Sequence, residues 1–191
     1  MAEGSHNMSV RDIMTSEAVT MSPEDTALEV AKSMSKADIS SIIVVSKARP
    51  VGIITEEDLV RRVIARELDP TTTKASQIMS SPLIHVTLDS SLTDAMRVMA
   101  RSGIQRVAVL KNESLVGIVT SRDILQWSPE LIDILVESLR MKTSGAARPY
   151  GEEEDEEDDM VAYGGICDSC GEYSTDLVME DGRYLCEACR S

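Results

Sequence analysis

Four cysteines near the C-terminal end of the chain form the pattern with the most specific chemistry. They are arranged as two Cys-x-x-Cys pairs with fifteen residues between them: Cys167 with Cys170, and Cys186 with Cys189. Each pair can supply two thiolates from one tight turn, so the two pairs predict a tetrahedral metal site with four sulfur ligands. Two disulfides are the alternative, which clustered pairs and a reducing compartment disfavour. A closed site leaves no open coordination position, so metal-assisted hydrolysis is not expected.

The residues between the two pairs indicate how the pairs are brought together. Residues 178–185 have Asp181 and Gly182 at their centre, a dipeptide that favours a tight hairpin turn. A segment of about 26 residues has no adequate core, so bound metal is expected to hold it folded. The segment resembles a zinc ribbon, with a partial likeness to rubredoxin at Cys170-Gly171, although its second pair lacks the glycine and proline usual in rubredoxins. The resemblance implies bound Zn²⁺, with iron as the alternative.

A second pattern that could bind a ligand occurs twice, 65 residues apart. The stretch GIITEEDL at residues 52–59 returns as GIVTSRDI at residues 117–124. Each copy places a threonine and an aspartate where a strand runs into a helix: Thr55 with Asp58, and Thr120 with Asp123. One interpretation is a capping box, in which the cap stabilises the helix by roughly 0.5 to 2 kcal/mol. The other is an anion site, built from unpaired backbone amides, the threonine hydroxyl and a carboxylate for ribose, with the glycine allowing close approach of the ligand.

The repeat extends over most of the first two thirds of the chain. A shift of 65 residues aligns residues 13–60 with residues 78–125 without a gap, which indicates a duplication. Each copy predicts the order strand, helix, strand, strand, helix. The first helices begin at Thr26 and Ser91 and carry apolar residues at helical spacing. The apolar sets are Ala27, Val30, Ala31 and Met34 in the first copy, and Leu92, Ala95, Met96 and Met99 in the second.

The remaining elements of each copy are predicted as a strand pair followed by a short helix. Residues 39–45 and 104–110 are rich in β-branched residues, and each run is followed by a polar connection and a second strand ending at Ile54 or Val119. The helix that follows in the first copy is expected to bury one apolar stripe. That stripe consists of Leu59, Val60, Val63 and Ile64.

These features together resemble tandem CBS domains, the Bateman module. The resemblance rests on the βαββα order, the DIMT and QIMS stretches that begin the copies, and the paired endings VGIITEEDL and VGIVTSRDI, and it covers about residues 8–127. It implies an α/β (α+β) fold of two βαββα repeats forming a pseudo-two-fold pair, followed here by the small β ribbon. Members of the family commonly hold adenine nucleotides or related adenosyl compounds in two clefts between the repeats.

The resemblance also implies which residues would meet the ligand. In the family each cleft is composite, because the Thr-x-x-Asp helix of one repeat faces the first part of the other repeat. One cleft would join Thr15, Val19, Ile39, Ser40 and Ser41 to Ile118, Thr120, Arg122 and Asp123. Arg106 matches a position where relatives place a phosphate-contacting arginine. The other cleft, at Thr55 and Asp58, has Glu56 and Glu57 in place of basic residues, so we expect it to be empty, weaker or open to a less charged ligand.

The rest of the chain is predicted to connect these parts. The predicted domains are 8–70 and 71–127 for the two repeats, 128–142 for an amphipathic helix, 143–163 for an acidic linker and 164–191 for the ribbon. The helix carries the stripe Leu131, Ile132, Leu135, Val136 and Leu139, which must pack against the repeats or against a second copy of the chain; a homodimer is expected. Residues 152–159 are eight consecutive acids and indicate a solvated spacer, with docking to a basic partner as the alternative.

Composition narrows the class of function. The net charge of -14 and the pI near 4.5 disfavour DNA or RNA as a partner. No apolar run approaches the roughly 18 residues of a membrane span, and no signal pattern stands at the N-terminus, so a cytoplasmic protein is predicted. His85 is expected to be a strand residue at the mouth of a cleft, without a catalytic partner.

We therefore predict a non-enzymatic sensor of AMP, ADP, ATP or S-adenosylmethionine, with the ribbon or the dimer surface contacting a protein partner. The rivals are an iron-loaded electron carrier similar to rubredoxin and a transcription-associated ribbon protein.

Overall fold

A computed structural model describes residues 8–128, 136 and 162–190. Residues 143–161 of the predicted acidic linker and almost all of the predicted amphipathic helix lie outside these residues. The last two residues of the predicted linker, Ala162 and Tyr163, belong to a strand, and Val136 is helical and exposed. No helix in the described part of the chain has the length and apolar character needed to span a bilayer.

The described elements follow the predicted order in both copies, and each copy begins with an additional short helix. The first copy contains α1 (Val10–Ile13), β1 (Thr15–Ser16), β2 (Thr20–Met21), α2 (Ala27–Ala37), β3 (Ser41–Ser46), β4 (Arg49–Thr55) and α3 (Glu56–Arg62), then a 3₁₀ turn at Ile64–Arg66. The second contains α4 (Ala75–Ile78), β5 (Leu83–Thr87), α5 (Leu92–Arg101), β6 (Arg106–Lys111), β7 (Ser114–Thr120) and α6 (Ser121–Trp127). The C-terminal segment contains β8 (Ala162–Ile166), β9 (Tyr173–Ser174), β10 (Val178–Glu180), β11 (Arg183–Leu185) and a 3₁₀ turn at Glu187–Cys189.

The long helix of each copy begins where the capping pattern places it. Thr26 and Glu29 form a complete capping box at the start of α2. At the start of α5 the Ser91 hydroxyl accepts from the amide of Asp94 at 3.0 Å. Both helices bury the predicted apolar face, although Ala31 is only partly buried. The helical spacing therefore identified the core side of these helices.

The first strand of each predicted pair, β3 or β6, begins two residues later than predicted, at Ser41 and Arg106. Asp38 and Gly103 have left-handed backbones, with φ of 52° and 63°. The next amide in each copy bonds back to the preceding helix: Ile39 donates to the Met34 carbonyl at 3.1 Å, and Ile104 to the Met99 carbonyl at 2.9 Å. Ile39 and Ile104, which the apolar pattern had assigned to the strands, therefore bond to the C-terminal ends of the preceding helices.

The tight turns depend on pairs of left-handed residues. In the hairpin between β3 and β4, Lys47 and Ala48 have φ of 50° and 66°. The predicted turn at Asp181 and Gly182 has φ of 47° and 76° and joins β10 to β11, whose residues pair from Val178 with Leu185 onward. Two consecutive positive φ values match the right-handed twist of the flanking strands. The hairpin predicted between the two cysteine pairs is confirmed.

The predicted buried stripe of α3 is half wrong. Val63 is buried and Leu59 packs against the core, whereas Val60 is 58% and Ile64 is 64% exposed. The helix ends at Arg62, so Ile64 lies in the 3₁₀ turn and no longer follows the helical spacing. In a helix of seven residues only the side chains on one narrow face reach the core, and Val60 lies outside that face.

The described chain forms two compact units, and neither is one sequence copy. One unit contains the described residues up to Ser16, His85–Lys111 and the described residues from Val116 through 128. The other contains Glu17–Ile84, Asn112–Leu115 and residues 162–190. Each unit therefore combines the leading segment of one copy with the body of the other. We call residues 8–16 and 74–81 the leading segments.

Backbone pairing attaches each leading segment to the body of the other copy. In the first unit the strand order is β1, β7, β6, β5, and Thr15 lies opposite Ile118 in antiparallel register. In the second unit the order is β2, β3, β4, and Ser80 exchanges two backbone hydrogen bonds with Ile53, at 2.8 and 3.0 Å. The core of this second unit lies between α2, β3, β4 and α4.

Glycine is required where each leading segment crosses a strand. A Cβ on Gly52 would lie 2.8 Å from both the Met79 sulfur and the Ser80 carbonyl oxygen. A Cβ on Gly117 would lie 2.6 Å from the Thr15 carbonyl oxygen. The close approach that we had assigned to a ligand is thus made by another segment of the same chain.

Gly52→Ala and Gly117→Ala are each expected to lower the free energy of unfolding by about 1 to 3 kcal/mol, because backbone atoms must move to admit the methyl group. Urea unfolding followed by circular dichroism measures the change. Ser114→Ala is the control, since Ser114 is exposed at the start of β7 and should change stability by less than about 0.5 kcal/mol. Two glycine variants as stable as the control would contradict the close-packing explanation.

The ribbon docks on its unit through Tyr173. This side chain packs against the core of the unit, and the Arg49 guanidinium lies 5.0 Å from its ring centroid. Burial raises the pKa of Tyr173 to about 12; Glu113 adds to the rise and Arg49 opposes it. Within the described residues, the Tyr173 hydroxyl is buried without a hydrogen-bond partner.

Tyr173→Phe is expected to raise the stability of the docked ribbon at high pH relative to the wild type. The folded-state pKa lies above that of the unfolded chain, so the tyrosine contributes its full stability below about pH 10 and loses it as the pH rises toward about 12. Chemical unfolding at neutral pH and at pH 10 to 11 tests this. An equal alkaline loss in both proteins would assign that loss to other groups.

Candidate functional site

The four cysteine sulfurs lie together in the described ribbon. All four Sγ atoms are within 4.8 Å of one another, and those of Cys170 and Cys186 are 3.8 Å apart. Four sulfurs placed tetrahedrally at about 2.3 Å from one ion would be about 3.8 Å apart, which matches this spacing. The residues therefore fit a four-coordinate, closed metal site.

The backbone around Cys167 favours its thiolate. The amides of Ser169 and Cys186 each donate to the Cys167 sulfur at 3.4 Å. The amides of Cys170 and Cys186 lower the pKa of this thiol to about 6. Cys167 is buried, so these amides take the place of water around the charged sulfur. Metal ligation requires the deprotonated form, which this environment stabilises.

Asp168 joins the first cysteine pair to the hairpin, a role that spacing alone did not indicate. Its amide donates to the Tyr184 carbonyl at 2.9 Å, and its carboxylate accepts from the Tyr184 amide at 2.7 Å. Since Tyr184 is two residues before Cys186, this connection holds the two pairs at the same end of the ribbon.

Both Thr-x-x-Asp sequences form capping boxes. The amide and hydroxyl of Thr55 donate to Oδ2 of Asp58 at 2.8 and 2.7 Å, and the Asp58 amide donates back to the Thr55 hydroxyl at 3.2 Å. Thr120 and Asp123 have the same three bonds at 2.9, 2.7 and 3.2 Å. The capping interpretation is therefore confirmed in both copies.

The expectation of several unpaired amides at these junctions is wrong. The first amide of α3, on Glu56, donates to the Ser40 carbonyl at 3.2 Å, and that of α6, on Ser121, donates to the Gln105 carbonyl at 2.9 Å. The third amide of each helix is used by the capping threonine. The residue just before β3 or β6 thus accepts from an amide that the sequence pattern had left open.

The two aspartates differ in their second carboxylate oxygen. Oδ1 of Asp58 pairs with Nε of Arg62 at 3.2 Å, and Asp58 is only 9% exposed. Asp123 is partly buried, and no basic side chain in the described part of the chain pairs with it. The 65-residue shift places Trp127, which is 58% exposed, where the first copy has Arg62. The junction at Asp58 is therefore closed by an ion pair, while among the described residues no basic side chain closes the junction at Asp123 in this way.

The predicted ligand residues fall in two units. Thr15 and Ile118 lie opposite each other in the unit that also contains Arg106, Thr120, Arg122 and Asp123. Arg122 is exposed, whereas Arg106 is partly buried and already has an interaction partner. The other unit contains Val19, Ile39, Ser40, Ser41, Thr55 and Asp58. The composite cleft stays a prediction.

Two further features bear on these predictions. A cavity of about 580 Å³ lies in the second unit, bordered by α2 and α3; it is lined by Ala31, Met34, Ser35, Asp38, Ile39, Ser40, Glu56, Leu59 and Val60. It includes Ile39 and Ser40 but neither Thr55 nor Asp58.

His85 is a strand residue, as predicted, and at 4% exposure it is buried inside β5.

Comparison with known proteins identifies the duplicated part. A family model described as CBS domain matches residues 10–65 and 75–130. An uncharacterized protein of Methanopyrus kandleri is 35% identical over 185 residues, which cover 96% of this chain and 91% of that protein. A conserved CBS domain protein of unknown function from Thermoplasma acidophilum has a crystal structure with TM-score 0.64 and 25% identity, covering 91% of this chain and 86% of the other.

Two other solved structures are similar over a shorter part of the chain. Hypoxic Response Protein I, a protein of Mycobacterium tuberculosis whose crystal structure has two coordinated zinc ions, shows a TM-score of 0.58 at 29% identity and covers 62% of this chain and 98% of that chain. A hexameric CBS-CP12 protein from bloom-forming cyanobacteria shows a TM-score of 0.60 at 25% identity, covering 72% and 85%.

We expect the purified protein to hold one metal ion per chain, and Cys170→Ser to lose it, because three thiolates cannot complete the tetrahedral site. Mass spectrometry under native conditions and elemental analysis measure the stoichiometry. Glu187→Ala, a change at an exposed residue between Cys186 and Cys189, is the control and should keep the ion. A metal-free wild-type protein purified without chelators would contradict the site.

Proposed function

The chain belongs to the CBS-domain family, and we propose that it is a non-enzymatic regulatory protein that binds an adenosyl ligand at its second repeat and carries zinc in its C-terminal ribbon. CBS domains are in general regulatory modules without catalytic activity. The single observation that carries the proposal is the difference between the two aspartates: within the described residues no basic side chain pairs with Asp123, whereas the second oxygen of Asp58 is taken by Arg62.

Recognition of a ribose requires an acceptor, which Asp123 can supply. Oδ2 is used by the cap, and Oδ1 can accept from a ribose hydroxyl. Arg122 directly precedes Asp123 in the chain and is exposed, so its guanidinium can reach a phosphate near the same junction. A charge-assisted hydrogen bond of this kind contributes about 1.5 to 3 kcal/mol. AMP, ADP and ATP offer both groups, and S-adenosylmethionine offers the ribose alone.

The first repeat is a poor site for the same ligand. A ribose at Asp58 would have to displace Arg62 and leave a nearly buried charge without its partner, which is costly. Glu56 and Glu57 are exposed beside this junction and repel a phosphate. We therefore infer one adenosyl ligand per chain, bound at Asp123.

Zinc is the metal that best suits the ribbon. The sulfur spacing fits zinc and iron equally, but the second cysteine pair lacks the glycine and proline found in rubredoxins. A closed four-thiolate zinc site has no catalytic position, so its role is to hold a short segment folded. The rival is an iron-loaded electron carrier, and a visible absorption spectrum separates the two because zinc protein is colourless.

Association with a second copy is part of the proposal. Val60, Ile64 and Leu68 are exposed apolar side chains on α3 and the segment that follows it. Proteins with CBS domains do form oligomers, as the hexameric CBS-CP12 protein shows. We infer a cytoplasmic homodimer in which the ribbon contacts a protein partner, with ligand binding shifting the protein between two states of different ligand affinity.

Isothermal titration calorimetry with AMP, ADP, ATP and S-adenosylmethionine tests the proposed site. Asp123→Asn should weaken binding of the preferred ligand by about tenfold or more, because it removes a charge-assisted hydrogen bond. Asp58→Asn is the matched control in the other copy and should change the affinity by less than about twofold. Absence of binding by every one of these compounds at millimolar concentration, or a larger loss in Asp58→Asn, would reject the proposal.

A further inference from the structure

Arg62 connects the junction of the first repeat to the leading segment of the second. Its Nε pairs with Oδ1 of Asp58 at 3.2 Å. One terminal nitrogen donates to the carbonyls of Ile78 and Met79 at 2.8 Å each, and the other donates to the hydroxyl of Ser80 at 3.0 Å. All polar groups of the guanidinium thus act between a nearly buried carboxylate and three consecutive residues of the leading segment.

These contacts cover the end of a very short helix. α4 has four residues and ends at Ile78, so the carbonyls of Ile78 and Met79 have no partner in a following turn. The planar guanidinium can bond both carbonyls while it pairs with a carboxylate, which a lysine ammonium cannot do with the same geometry. The second copy has no equivalent, because Trp127 stands at the matching position.

The segment that Arg62 contacts continues to Pro82, which packs against β8, the first strand of the ribbon. Ser81 donates from its hydroxyl to the Val51 carbonyl at 2.8 Å, next to the paired residues Ser80 and Ile53. A Cβ on Gly165 would lie 3.0 Å from the Pro82 Cβ and 3.4 Å from its Cα, so the backbone of β8 touches Pro82 directly. β8 also packs on β4, and Cys167 is the residue that directly follows β8.

We propose that Arg62 is a positioning residue that couples the Asp58 junction to the docking of the metal ribbon. Loss of the pair with Asp58 frees Arg62 from the two carbonyls, residues 79–82 loosen on β4, and β8 loses the surface on which Gly165 rests. The coupling rests on the proposed function only in taking the ribbon to be metal-loaded; it requires no adenosyl ligand. The junction at Asp58 then connects the first repeat to the ribbon, and only the junction at Asp123 is proposed to bind the ligand.

The contacts of Arg62 are expected to form and break together, which gives the segment two states, attached and detached. Breaking the pair leaves the nearly buried carboxylate of Asp58 without a compensating charge, so partly detached arrangements are unfavourable. The bonds of the guanidinium act as a unit, because they share one rigid planar group. An anion that binds Arg62, or a cation that binds Asp58, would shift this equilibrium and with it the docking of β8.

Hydrogen exchange and metal release measured on the zinc-loaded full chain without nucleotide test the coupling. Arg62→Ala should speed exchange in residues 79–82 and 162–166, and should raise the rate of zinc release to a colorimetric chelator, by roughly tenfold each. Arg62→Lys, which keeps the charge but not the planar fork, should give an intermediate effect. Arg61→Ala is the control: Arg61 is an exposed neighbour that pairs with Glu57, and its removal should change neither rate by more than about twofold.

A merely local role for Arg62 would give a different result. Arg62→Ala would then speed exchange in residues 79–82 while residues 162–166 and the rate of zinc release kept wild-type values, and the coupling would be rejected. If Arg62→Ala does not fold, Asp58→Asn removes the partner charge and should change both rates in the same direction; unchanged rates in a folded Asp58→Asn protein would overturn the proposal. Exchange in α5 serves as the check for global destabilisation. Because no nucleotide is present, these outcomes are independent of the calorimetry at Asp123.

Discussion

The structure depends on the close approach of each leading segment to a strand of the other copy. At Gly52 and Gly117 the absence of a Cβ lets the backbones of residues 79–80 and 14–15 reach the strand surface, and the paired amides and carbonyls at Ser80 and Ile53 then hold the segment there. This constraint explains why the apolar stretch before each Thr-x-x-Asp contains glycine in both copies. It also explains why the compact units do not follow the sequence copies: a leading segment adds to the sheet of the other copy, so neither copy is complete without its counterpart.

The two junctions share one backbone arrangement but differ in the charged side chains around the aspartate. Both threonines cap their helices with the same three hydrogen bonds, and the difference arises four residues after the aspartate. Arg62 in the first copy uses the free oxygen of Asp58 and covers two carbonyls of the leading segment. In the second copy, the exposed side chain of Trp127 makes no such pair, and no basic side chain among the described residues pairs with Asp123. Under the proposed function, the ion pair closes the first junction and the second junction binds the ligand.

The ribbon illustrates a short segment that obtains its stability from outside its own core. Four sulfurs at metal-binding distance provide one source, and docking on the unit through Tyr173, Arg49 and Pro82 provides the other. The buried Tyr173 hydroxyl and its raised pKa indicate that docking removes polar atoms from water. Such an interface is favourable only while the segments beneath it keep their positions, which is the physical basis for linking ribbon docking to Arg62.

The sequence by itself determined the features that depend on local spacing. The duplication, the order of elements, the helix caps at Thr26 and Thr55, the hairpin at Asp181 and the grouping of four cysteines all follow from contacts between residues near one another in the chain, and all were predicted. Only the tertiary structure decided that the first amides of α3 and α6 bond to the residues just before β3 and β6, and that Val60 and Ile64 face outward. It also decided that the glycines admit a chain segment and that Arg62 bonds to the leading segment of the second copy. Most of these features join residues that are far apart in the chain, up to about a hundred positions for Gly117 and Thr15. The spacing of residues along one segment carries no information about which distant group will meet it.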